Sequence, residues 1–157
     1  MLNNCTPVIL KLVLSLACAF AFYWSIRIKK IFPVLLTIGL IAGVLLVLLL
    51  PSTRMVYGIY VYLGFVVLCI VYGLTIKEMK MWPRVIIILM SVFIIIYWLW
   101  VQNHWHGNEV LLPIAALIIG LAGIITKAKL KNELGFLVIL TTDAIAIIVE
   151  HLIKASS

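Results

Sequence analysis

The stretch Ile31–Leu50, IFPVLLTIGLIAGVLLVLLL, carries no charged residue. A transmembrane helix needs about 20 largely apolar residues to cross roughly 30 Å of hydrocarbon. The run neither alternates with period two nor breaks at strand length, so a soluble β reading fails. Working outward, similar runs cover residues 7–26, 55–76, 85–101, 110–126 and 134–153. They predict an all-α, polytopic membrane helix bundle of six transmembrane helices, forming a single transmembrane domain over residues 1–157. The runs at 85–101 and 110–126 are short, so those helices should stand nearly upright or extend into the interface.

Composition points the same way. The chain of 157 residues is 66% hydrophobic and only 11% charged, against about 45–50% and roughly 25% in soluble domains. No stretch is polar enough to form a second, soluble domain. A net charge of +7 would raise nucleic acid as a partner of a soluble protein. Here the basic residues sit in short clusters between apolar runs, which excludes that reading and makes them topology signals.

The clusters sort by side. Arg27, Lys29 and Lys30 lie in the first loop, Lys77, Lys80 and Arg84 in the third, and Lys127, Lys129 and Lys131 in the fifth. Only Arg54, Lys154 and Lys11, just inside the first span, belong to the other side. Positive charge stays cytoplasmic. Loops 27–30, 77–84 and 127–131 are therefore expected inside, with both termini on the non-cytoplasmic side of a bacterial cytoplasmic (inner) membrane. Tyr57, Tyr60, Tyr97, Trp98, Trp100 and Trp105 would form an outer aromatic belt, and Tyr23, Trp24, Tyr72 and Trp82 an inner one. The first run reads as an uncleaved helix, because its flank is poorly basic. Asn4-Cys5-Thr6 fits a glycosylation sequon but sits too near the membrane to be a good acceptor.

Pro7, Pro33, Pro51, Pro83 and Pro113 all fall at span ends or in first turns, where a missing N–H costs little. None breaks a span near its middle, which counts against a transporter built on broken helices. Gly39 and Gly43 form a G-x-x-x-G, and Ala116 with Gly120 a small-x-x-x-small pattern. Either pair lets helix backbones approach, within one chain or between copies.

The sixth run is the unusual one. Asp143 lies near its middle after Thr141 and Thr142. An ionised Asp at a helix centre costs on the order of 2.5–3.5 kcal/mol, so such residues face the bundle and find partners. At 100° per residue Asp143, Ala146, Glu150 and Lys154 share a stripe with Phe136 and Ile147, with His151 adjacent. One reading makes Asp143 a proton or cation carrier, with Glu150 and His151 at its mouth. The other makes Asp143 and Thr142 structural polar contacts, with Glu150 paired to Lys154. Lys11 matches Glu150 in depth, so the two are candidates for a clasp between first and last helices. The alternative is that Lys11 lifts its amine to the interface.

His104 and His106 with Glu109, near His151, offer imidazole and carboxylate suited to a divalent metal. An H-x-H pair without a scaffold is weak support, so no resident cofactor is expected. The cysteines Cys5, Cys18 and Cys69 form no C-x-x-C pair. Catalytic signatures are missing: no H-E-x-x-H, G-x-S-x-G or phosphate loop occurs, and Ser91 has no histidine at its depth. The expectation is a non-enzymatic integral membrane protein, a small subunit or accessory that packs against another membrane protein or itself. A proton- or cation-coupled carrier using Asp143 and an outer-face metal-binding protein using His104 and His106 are the alternatives.

Overall fold

The computed structural model describes residues 5–51, 54–76, 80–103, 107–108, 110–125 and 130–156. Within them lie six helices: α1 (Cys5–Ile26), α2 (Ile31–Leu49), α3 (Met55–Thr75), α4 (Met81–Gln102), α5 (Leu111–Ile125) and α6 (Leu134–Ser156). All but α5 are long and apolar enough to cross a membrane. The 15 residues of α5 rise only about 22 Å, less than the hydrocarbon core. The chain is thus a small helical integral membrane protein.

The one large difference from the expected spans is at α4, which starts at Met81 rather than Val85 and runs for 22 residues. The extra turn contains Pro83 and Arg84, two residues that look like a helix boundary. Pro83 is the third residue of α4, just as Pro7, Pro33 and Pro113 are the third residues of α1, α2 and α5. N–H groups in a first turn have no intrahelical acceptor, so proline there removes nothing.

The helices are shared between two compact units. The first takes in Met1–Phe65 and Asn132–Thr142, hence α1, α2, the first half of α3 and the start of α6. Here α2 and α3 run antiparallel on a seam of glycines. A β-carbon on Gly43 would lie 2.7 Å from the Cα of Tyr62, and one on Gly58 2.7 Å from the backbone N of Val47. Gly39 faces the ring of Phe65 in the same register. The G-x-x-x-G of α2 is therefore filled from within the chain. At the end where α1 leads into α2, α6 enters closely. A β-carbon on Gly135 would sit 3.0 Å from Thr37 Oγ1 and 3.5 Å from the carbonyl of Ala21. Thr37 and Ser25 are buried and satisfied locally, donating to the carbonyls of Pro33 (2.7 Å) and Ala21 (2.8 Å).

The end of α1 carries an aromatic anchor. Phe20 and Trp24 stack with centroids 5.9 Å apart. Arg27 lies over the Tyr23 ring at 4.8 Å and donates to its hydroxyl through Nη2. Tyr23 is exposed, so a folded-back guanidinium and a ring together suit a polar–apolar boundary.

The second unit takes in Val66–Lys131 and Asp143–Ser157. Its centre is α4 packed against α5, with Ile86 lying 3.2 Å from the β-carbon position of Gly123. Ala116 is wholly buried and Gly120 half-buried. Gly73 of α3 meets Ile88 of α4 at 2.8 Å in the same sense. Arg84 then ties α4 to the end of α3: Nε donates to the Gly73 carbonyl at 3.0 Å and Nη2 to that of Leu74 at 2.9 Å. These belong to the last four carbonyls of α3, which have no intrahelical donor. The preceding carbonyl, Tyr72, is taken by the N–H of Ile76 at 3.1 Å. Arg84 is thus a cap on a neighbouring helix, with its charge at the end the helix dipole favours.

Two expected belt residues are inside the protein instead. Tyr72 and Tyr97 are 3% and 7% exposed, whereas Tyr57, Tyr60 and Trp82 are exposed as expected. Position along a helix gives depth, but the face is decided by neighbours, and hydropathy does not record it.

Candidate functional site

The candidate site lies in the second unit, between the later half of α4 and the half of α6 that begins at Asp143. Asp143 is the tenth residue of the 23-residue α6. It is half-buried, while Ala146 and Ile147 on its stripe are buried and Glu150 is exposed. Exposure on this stripe therefore rises between Ile147 and Glu150. Thr141, two residues earlier on α6, is satisfied by the Leu137 carbonyl at 2.7 Å. Thr142 is half-buried.

The group aimed at Asp143 comes from α4. Trp98 Nε1 lies 3.5 Å from Asp143 Oδ2, long for a hydrogen bond, so it marks orientation more than bond strength. The indole N–H is a donor with no acceptor function, which suits a carboxylate better than any apolar neighbour. Next to it the Tyr97 ring meets the imidazole of His151 edge-on, with centroids 6.4 Å apart and planes at 80°. Trp98 and Tyr97 themselves sit edge to face at 5.8 Å. An acid, an indole donor, a phenol and an imidazole are thus gathered on two helices.

In the connection that follows α4, Gly107 lies against the Trp100 ring. Gly107 has φ +150°, a conformation glycine adopts freely. A β-carbon there would also meet Cζ2 of Trp100 at 2.8 Å. Both observations require glycine at this point.

Other residues singled out in the sequence are placed as follows. Lys11 is exposed on α1, with its carbonyl accepting from Ser15 at 2.8 Å. Glu150 is exposed and His151 half-buried on α6. His104, His106 and Glu109 lie outside the described residues. Among the described residues, no group of three or more His, Cys, Asp or Glu is arranged to hold a metal ion.

Sequence reasoning passed over three residues. Trp98 was assigned to an aromatic belt, though its register on α4 brings it to the acid. Glu133 is only 2% exposed, and its carbonyl accepts the Leu137 N–H at 3.1 Å as α6 begins. An acid directly before an apolar run, where a helix dipole favours negative charge, was the available signal. Arg84 was counted only as a topology charge. Compared with known protein families, curated proteins and solved structures, the chain matches none.

Proposed function

We propose that this protein is a non-enzymatic subunit or accessory of a membrane complex, oriented with its basic loops in the cytoplasm and its termini outside a bacterial cytoplasmic membrane. The observation that carries the reading is on α1, the least buried of the five long spans among the described residues. Lys11, Ser15 and Ala19 lie four residues apart on one exposed face. Lys11 is three residues inside the span Val8–Ile26. A lysine there either lifts its amine to the headgroups or meets a carboxylate on a neighbouring helix. The small residues Ser15 and Ala19 below it let a second helix approach closely, which favours the carboxylate-bearing neighbour.

Purification in mild detergent followed by mass spectrometry tests this. A stoichiometric membrane partner is expected. Lys11→Met should lower its recovery by about tenfold, the equivalent of ~1.4 kcal/mol, with helix content unchanged. A single homogeneous species would sink the reading.

The aim of the Trp98 N–H at Asp143 supports a second reading, a small proton- or cation-coupled carrier. Reconstituted in liposomes, the protein would then pass protons down an imposed potential. Asp143→Asn, nearly the same in size, should abolish that flux while leaving the fold intact. Equal flux in both proteins would remove Asp143 from the mechanism.

A further inference from the structure

The turn between α1 and α2 holds Arg27, Lys29 and Lys30, all exposed, within four residues. Its backbone is fixed at the start, where the Arg27 N–H donates to the Trp24 carbonyl at 3.0 Å and the Ile28 N–H to that of Ser25 at 3.2 Å. The guanidinium of Arg27 is fixed as well, lying over the Tyr23 ring and donating to the Tyr23 hydroxyl. A guanidinium has five N–H donors, and that bond spends one of them. Arg84, by contrast, spends its fork on the carbonyls of Gly73 and Leu74.

The charge of this turn is not balanced from within its unit. The sequence of Met1–Phe65 and Asn132–Thr142 contains a single acid, Glu133. Glu133 is buried and belongs to the same end of the unit, since Gly135 packs beside Thr37 and the Ala21 carbonyl. One carboxylate offsets at most one of the three cations, so the turn attracts anions from outside. Its flanks say which anion. Ile26 and Ile31, which adjoin the cations in the chain, are 71% and 84% exposed, and Tyr23 and Phe32 are about half exposed. An inorganic phosphate ion gains nothing from apolar neighbours. A phospholipid gains from both, because its phosphate meets the cations while its acyl chains lie against the apolar side chains.

We propose that the α1–α2 turn is a docking surface for an anionic phospholipid, whose phosphate is held by Arg27 and Lys29. Arg27 gives the directed contact, since guanidinium and phosphate match as paired donors and acceptors. Its seat on Tyr23 means that little side-chain freedom is lost on binding. Lys29 adds a point charge on a flexible stem. Anionic lipid is concentrated in the cytoplasmic leaflet, the side proposed for this turn, although the contact itself does not depend on that orientation. Nor does it depend on the accessory or the carrier reading.

Trp24, stacked on Phe20 three residues before Arg27, supplies the reporter. The full chain is placed in phosphatidylcholine vesicles with a rising share of phosphatidylglycerol brominated in its acyl chains close to the headgroup. Quenching of Trp24 emission, taken by difference from Trp24→Phe, should need a share about twentyfold lower than brominated phosphatidylcholine requires. Lys29→Gln should lose about fivefold of that preference, the equivalent of ~1 kcal/mol for one charge near the surface. Arg27→Gln should lose at least as much. Should Arg27→Gln fail to fold, Lys29→Gln carries the test alone. Lys80→Gln, at an exposed cation just before α4, should keep the preference. Equal quenching by the two lipids in the wild type, or a preference that Lys29→Gln keeps in full, would overturn the proposal. An equal loss in Lys80→Gln would do the same, by showing general charge attraction. Displacement of the brominated phosphatidylglycerol by inorganic phosphate, beyond that by potassium chloride at equal ionic strength, would make this a site for phosphate ions and not for lipid.

Discussion

Replacing Gly43 with alanine is expected to lower the stability of the protein in detergent by about 1–3 kcal/mol, the usual cost of forcing a methyl group into a filled contact. The new β-carbon would lie 2.7 Å from the Cα of Tyr62 and 2.8 Å from its backbone N. Backbone cannot rotate aside, so α2 and α3 would have to separate along the seam. Alanine is intrinsically the better helix former by about 1 kcal/mol, and the clash must exceed that gain. Gly39→Ala should be milder, because what stands in its way is the Phe65 ring, which a side-chain torsion can move. Gly64 supplies the control, with nothing within 4 Å of its β-carbon position. Gly64→Ala should be neutral or slightly stabilising. Thermal unfolding of the three variants side by side is the measurement. Equal losses in Gly43→Ala and Gly64→Ala would contradict the packing of α2 on α3.

The second large effect is expected at Arg84. Truncation to methionine keeps much of the side-chain bulk but strands the carbonyls of Gly73 and Leu74, which Arg84 now satisfies at 3.0 and 2.9 Å. Hydrogen bonds to charged groups contribute about 1.5–3 kcal/mol, and a loss of that order is expected. Arg84→Lys should restore only part of it, since an ammonium is a point donor whereas the guanidinium fork reaches two acceptors at once. Amide exchange should report the change locally, with the last turn of α3 opening more readily in Arg84→Met and α2 unaffected. Wild-type exchange and stability in Arg84→Met would show that the cap contributes nothing.

These two cases mark what the sequence could and could not disclose. The spans were legible because twenty apolar residues in a row have few other uses, and five of the six helices meet the length and hydropathy of a membrane crossing. The start of α4 was not. Met81-Trp82-Pro83-Arg84 reads as a boundary, because hydropathy scores the arginine as a charge in need of water. In the structure its charge is spent on α3, so the extra turn becomes affordable. The glycine pattern at Gly39 and Gly43 announced a close helix contact without naming the helix, since spacing describes one surface and a contact needs two. The acid at 143 was equally conspicuous, but Trp98 acquires meaning only from the face of α4 it occupies.

The entry of Gly135 against Thr37 and Ala21 also has a bearing on the order of assembly. The first unit borrows its last segment, Asn132–Thr142, from the far end of the chain. A ribosome adding about 5–20 residues per second would deliver α1 and α2 several seconds before the residues that complete their packing. During that interval the Thr37 surface of the nascent chain has lipid or the insertion machinery for company. A chain released early, before residue 132, would hold four or five inserted helices and an unfinished first unit, a natural substrate for membrane quality control.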